Sequence, residues 1–256
     1  MKKPVRHEKS KSEWIYGLNP VLEAIRSGRE ISSVFISLSR KDRSDIEKEI
    51  EGKGIKIQRA DRVFFDSRFP KGNQGLAALV APREYTPLED LLEIPAARSE
   101  TPLFLILDCI EDPRNFGSIL RIADAGGVHG VVVQSHRSAL LGPEAVKASA
   151  GAAEYVAVSV VSNIKHAMKA MKELGIIILG AEAGMGSPGW EQDLAAPLAL
   201  VLGSEGRGLR KTVREDCDAL VNLPMKGVVN SLNASVAAGI LVFEIMRQRA
   251  GKGRNC

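Results

Sequence analysis

The sequence predicts an α/β protein, with a mostly parallel sheet in its carboxy-terminal half and a smaller α/β unit before it. Unbroken apolar runs of strand length, LFLILD at 103–108 and LALVLG at 198–203 among them, alternate with segments of helical periodicity. That alternation marks parallel strands buried on both faces by crossover helices. Pro82, Pro87, Pro95 and Pro102 interrupt the pattern between two such series, as an interdomain connector would. Charge divides near the same place. Residues 1–83 hold 18 Lys/Arg against 11 Asp/Glu, a balance of +7, and residues 84–256 hold 17 against 20, a balance of −3. A basic front unit joined to a slightly acidic domain is the asymmetry of a polyanion-docking module. We expect a unit over residues 13–82, a connector over 83–101 and a larger domain over 102–250.

The elements follow in order. Residues 1–12 have the composition of a disordered basic tail. Asn19 followed by Pro20 predicts a capped helix entry, with Val21, Leu22 and Ile25 on one face and Gly28 as its stop. A strand over 33–38, a charged helix over 42–51 with Ile46 and Ile50 four apart, a strand over 54–58, a helix over 61–68 and a strand over 76–80 complete the unit. Beyond the connector the expected order is strand 103–108, helix 116–125, strand 130–134, helix 143–149, strand 155–160, helix 164–174 and strand 176–181. A strand at 198–203, a short helix at 209–215, a strand at 219–223 and a last helix at 235–247 follow.

With 45% apolar and 26% charged residues, the composition is that of a globular protein and not of a disordered one. No apolar run nears the roughly 18–20 residues of a membrane span, and the basic amino terminus leads into no apolar stretch of the signal-peptide kind. Cys109, Cys217 and Cys256 are odd in number and lack CxxC spacing. This argues against a disulfide framework and a zinc site, and for a reducing cytoplasm.

Among the motifs, GMGSPG (184–189) fits GxGxxG after a strand. Pro188 sits badly in the helix turn that a dinucleotide site needs, and the next strand ends at Gly203 without an acidic residue, so a loop is expected. Asn115, past the strand end at Asp108, can cap the helix opening at Phe116. Arg121 falls six residues later among Ile119, Leu120 and Ile122, facing either solvent or a cleft. In the run Gly203-Ser204-Glu205-Gly206-Arg207-Gly208, three glycines let the backbone approach a ligand closely, and packing gives no reason for the acid between them. Ser231 and Asn233 are both capping types before a helix of small residues, Ala234 to Gly239, which allows close approach of another helix or of a second copy.

In this order and spacing, NFGSILR (115–121), LGSEGRGL (202–209) and LPMKGVVNSLNASVAAGI (223–240) resemble the three motifs of the SpoU/TrmH family of RNA ribose 2′-O-methyltransferases. The likeness covers nearly all of residues 103–249. The stretch from YGLNPVLEAI to NQGLAALV resembles the ribosomal-protein-L30e-type RNA-binding domain of the branch that methylates a guanosine of large-subunit ribosomal RNA. That branch usually carries His-Gln-Gly where this chain has Asn73-Gln74-Gly75.

The resemblance implies a trefoil-knotted parallel sheet, S-adenosylmethionine as methyl donor, RNA as substrate and no metal. It places Leu202, Gly203, Gly208, Leu223, Met225 and Leu232 around the cofactor, and Arg121, Asn115, Glu205, Ser231 and Asn233 around the reacting ribose. It also implies a cytoplasmic homodimer whose pocket is shared between subunits. Arg26, Arg29, Arg40, Lys41 and Arg43 are the expected phosphate contacts of the front unit. Three rival readings are a transfer-RNA substrate, an antibiotic-resistance methylase, and an RNA-binding protein without catalysis.

Overall fold

The computed structural model describes residues 12–228 and 231–252. The basic tail over 1–11, Val229-Asn230 and Cys256 lie outside them. The chain forms two compact units, Met1–Glu84 and Tyr85–Cys256.

The first unit contains strands β1 (Glu13–Tyr16), β2 (Ile31–Ser37), β3 (Ile57–Ala60) and β4 (Leu76–Val80), with helices α1 (Leu18–Arg26), α2 (Arg43–Glu51) and α3 (Arg62–Arg68). Its sheet has the order β1-β4-β2-β3, with β4 antiparallel to both neighbours and β3 parallel to β2. β1 has no counterpart among the expected elements, because four residues show no period and only pairing with β4 makes them a strand. Helix α1 also starts differently. Gly17 stands at its N-cap without a side chain, and the Leu18 N–H donates instead to Gln74 Oε1 at 2.8 Å. A side chain 56 residues away thus satisfies a helix end that Asn19 was expected to cap. Arg29 is not available as a phosphate contact. Its side chain is 8% exposed, bridges to the Glu13 carboxylate and donates to the Ala81 carbonyl at 2.7 and 3.0 Å.

The second unit is built on seven parallel strands. They are β5 (Leu103–Asp108), β6 (Gly130–Gln134), β7 (Val158–Val161), β8 (Ile177–Ala181), β9 (Ser187–Pro188), β10 (Leu198–Gly203) and β11 (Ala219–Asn222), in the order β7-β6-β5-β10-β8-β11-β9. All of β5 and the first five residues of β10 are buried. At roughly 1.5–3 kcal/mol for each large aliphatic side chain removed from water, these central strands dominate the hydrophobic stabilisation of the unit. Helices α4 (Leu88–Arg98), α5 (Pro113–Ala125), α6 (Pro143–Ala148), α7 (Ile164–Glu173), α8 (Lys211–Arg214) and α9 (Ala234–Lys252) accompany them.

Helix α4 occupies the stretch expected as a connector. Pro87 stands at its N-cap and Pro95 lies inside it, at the expense of one backbone hydrogen bond. The burial of Leu91 in the core with Phe104 and Val132 offsets that loss. From β5 the chain moves outward to β6 and β7, then crosses to β8 and β9 on the other side before β10 returns beside β5. The carboxyl ends of β5 and β10 therefore flank a topological switch point, the place where open parallel sheets form ligand crevices. Among the described residues no helix is long and apolar enough to cross a membrane, and no His/Cys/Asp/Glu group is placed to hold a metal ion.

Candidate active site

Three side chains from distant segments meet beyond β5 and β10. Helix α5 is capped not by Asn115 but by Asp112, whose carboxylate accepts the Arg114 N–H at 2.8 Å. Asn115 lies inside the first turn, so its amide is free to reach outward. Its Nδ2 donates to Glu205 Oε1 at 3.0 Å, and its Oδ1 accepts from Asn233 Nδ2 at 2.8 Å. Asn233 Nδ2 also donates to Glu205 Oε1. The other end of the Asn233 amide caps α9: Oδ1 accepts from the Ser235 N–H at 2.8 Å and from the Ser235 hydroxyl at 2.6 Å. A flipped amide would press its NH2 group against the helix's own N–H groups, so the cap fixes which end faces Glu205. Asn233 therefore serves a helix end and the cluster together.

Glu205 is presented by a tight loop. The Gly208 N–H returns to the Ser204 carbonyl at 2.9 Å, and Gly206 and Gly208 take φ of 76° and 64°. A Cβ on Gly208 would lie 2.4 Å from Glu182 Oε1, and one on Gly203 would lie 2.2 Å from the Gly208 carbonyl carbon. Glu182 accepts the Leu209 N–H at 2.9 Å and so holds the far side of the loop. Sequence reading missed Glu182; its one signal was an acid directly after an apolar strand.

Under this loop lies a cavity of about 350 Å³. Leu202, Gly203, Gly208, Leu223, Met225 and Leu232, the six residues expected around a cofactor, all line it. Its volume lies in the usual range for small-molecule sites, and glycine backbone and apolar side chains make up much of its wall. Such a lining fits the flat adenine and sulfur-bearing chain of S-adenosylmethionine, and a Cβ at Gly203 or Gly208 would disrupt the loop that roofs it. Ser231 lines the same cavity and is exposed, while the α9 cap comes from Asn233. A second, larger cleft of about 710 Å³ adjoins it, with Asn115, Ser204, Glu205 and Gly208 among its walls.

Arg121 is not brought into this cluster. Six residues along α5 from Asn115 amount to about 9 Å of rise and about 240° of rotation. Its side chain is exposed and has no acceptor among the described residues. The small residues of α9 are used within the chain: Ala234 and Ala238 are buried, and Gly239 faces Ile122 of α5. Outward, α9 carries Val236, Ile240, Phe243 and Met246, which are 37–51% exposed. Neither described thiol is primed as a nucleophile. Burial pushes Cys217 up to about 12, and burial together with the Asp108 charge raises Cys109.

Residues 102–243 match the SpoU rRNA Methylase family, and residues 14–86 match a family described as RNA 2′-O ribose methyltransferase substrate binding. The chain is 40% identical over 248 residues to the 23S rRNA (guanosine-2′-O-)-methyltransferase RlmB of Yersinia pestis, covering 94% of this chain and 99% of that protein. It is 39% identical over 243 residues to RlmB of Escherichia coli K12, covering 93% and 100%. Among solved structures, the SpoU methyltransferase AviRb from Streptomyces viridochromogenes in complex with AdoMet is 26% identical with a TM-score of 0.76, covering 94% of this chain and 92% of that one.

Proposed function

Because this chain belongs to the SpoU rRNA methylase family, we propose that it transfers a methyl group from S-adenosylmethionine to the ribose 2′-hydroxyl of a guanosine in large-subunit ribosomal RNA. One observation carries the reading: the Asn115–Glu205–Asn233 cluster stands at the rim of a cavity that gathers all six residues expected around the cofactor. The bound cofactor supplies a methyl group on a sulfonium sulfur. The protein must then align a ribose oxygen with it, remove a proton and stabilise the oxygen as charge develops.

Asn115 and Asn233 turn their amide N–H groups to Glu205, which fixes that carboxylate at the junction of cavity and cleft. Arg121 is assigned the role of a fixed cation that lowers the pKa of the hydroxyl. A guanidinium stays protonated, so the proton passes to water or to an RNA phosphate. Because Arg121 lies away from the cluster of its own chain, the reading requires a homodimer in which it completes the partner's site. The outward apolar stripe Val236–Ile240–Phe243 on α9 supports this assembly. The trefoil knot belongs to the same reading, with Val221, Asn222, Leu223, Met225, Ser231 and Leu232 on the cavity wall. Mapping 2′-O-methyl marks on ribosomal RNA from cells with and without the protein tests the whole reading: loss of one guanosine mark is expected, and an unchanged map would refute it.

A further inference from the structure

The cleft of about 710 Å³ is lined by Arg210, whose ion pair with the buried Asp108 has no use in the reaction described above. Asp108, the last residue of β5, is fully buried, and both of its oxygens accept from Arg210, with the Cys109 thiol also donating to Oδ1 at 3.6 Å. Oδ2 accepts the Arg210 backbone N–H at 2.8 Å, and Oδ1 accepts Arg210 Nε at 2.6 Å. Gln134, buried at the end of β6, accepts from Arg210 Nη2 at 2.8 Å. Two strand ends, those of β5 and β6, thus hold one guanidinium from behind. Of its five N–H donors, two are used by Asp108 and Gln134, and the remaining three have no acceptor among the described residues. The side chain is 36% exposed and lines the cleft that Asn115 and Glu205 also line.

A buried ion pair is a weak stabiliser of a fold. What this one supplies is orientation, since a planar fork held at its rear presents its front donors as a pair. Such a fork matches two oxygens of a phosphodiester. Arg137, Arg207 and Lys211 line the same cleft and add positive charge. Of its carboxylates, Asp112 caps α5 and Glu205 accepts two amides, which leaves Glu111.

We propose that Arg210 anchors a backbone phosphate of the RNA beside the nucleotide being methylated, and that Asp108 is the positioning residue behind it. The inference rests on the RNA reading above and extends it to how the strand is held. The test uses the full-length protein and large-subunit ribosomal RNA transcribed in vitro. Arg210→Gln is expected to raise KM for RNA by about tenfold or more and to leave kcat within about threefold. The slope of log affinity against log salt should fall by about 0.7–0.9, one phosphate contact. S-adenosylmethionine affinity by calorimetry should stay within about twofold of the parent. Arg210→Lys, which keeps the charge paired with Asp108 and guards against misfolding, should retain the slope and recover only part of the affinity. The inference is overturned if Arg210→Gln keeps the parental slope and KM. It is equally overturned if cofactor affinity falls together with RNA affinity, the mark of a structural role through the neighbouring loop. A parent protein that methylates no RNA would instead defeat the reading on which the inference rests.

Discussion

Asn115 donates to Glu205 at 3.0 Å across 90 positions of sequence, and this bond closes the ends of β5 and β10 over the candidate site. Asn233 joins the same pair and caps α9 with its other end. The two duties can be separated. Asn233→Asp keeps the capping oxygen but faces Glu205 with a second carboxylate oxygen. Thermal unfolding should stay near that of the parent, while methyl transfer falls by about tenfold or more. Asn233→Ala should lose the rate and in addition about 1 kcal/mol of stability. Denaturant unfolding and initial rates on ribosomal RNA read both quantities.

Arg121→Ala should lose methyl transfer while cofactor affinity stays within about twofold, because the side chain touches no wall of the cavity. If Arg121 completes the partner's site, mixing Arg121→Ala with Asn233→Asp restores one working site in mixed dimers. Turnover of the mixture above that of either variant is the expected result; no gain would mean that each chain works alone.

Gly208→Ala should remove cofactor binding. Its Cβ would meet Glu182 Oε1 at 2.4 Å in a residue whose φ is 64°. The loop has to open or Glu182 has to move, and both alter the cavity roof. Calorimetry should give an affinity at least about 100-fold weaker, with a destabilisation of about 1–3 kcal/mol from backbone strain.

Deleting residues 1–82 should weaken RNA binding and flatten its salt dependence, since the basic excess of the chain sits there. Cofactor binding should persist, because every wall of the cavity comes from the second unit. A truncated protein with full activity on ribosomal RNA would contradict the assignment.

Asp218 gives a pH prediction. Burial raises its carboxyl pKa, but Lys172 at 2.7 Å and the Ile178 N–H at 2.8 Å outweigh it and hold the group below the ordinary carboxylate range. A lowered folded-state pKa adds stability above the unfolded value of about 4, and that stability is lost as pH falls through the folded value. Asp218→Asn should therefore be less stable than the parent near pH 7, and the gap should narrow below about pH 4. Chemical unfolding at both pH values measures it.

Wherever a signal spans only a few neighbouring residues, the sequence was legible. The runs 103–108 and 198–203 appear as strands at their expected bounds, because unbroken apolar burial on both faces leaves a mark in every residue. Glycine loops and capping types likewise singled out Glu205 and Asn233. The readings that failed were those in which a partner lies far along the chain. Gln74, 56 positions away, satisfies the start of α1, and Asn115 leaves the α5 cap to Asp112 because its amide meets Glu205 and Asn233, 90 and 118 positions along the chain. The prolines around 87–95 suggested a connector, yet the core into which Leu91 drops comes from residues beyond 100.

By itself, then, the amino-acid order determined the strands, most helices and the inventory of amides, acids and guanidinium groups at strand ends, since propensity and burial pattern act locally. Tertiary structure alone decided which of these groups meet. It put Glu205 with Asn115 and Asn233, spent Asp108 on Arg210, and left Arg121 apart on an exposed helix face. The physical reason is that a hydrogen bond or ion pair depends on separations of a few ångströms, and those are set by how strands order themselves in a sheet, which no local pattern records.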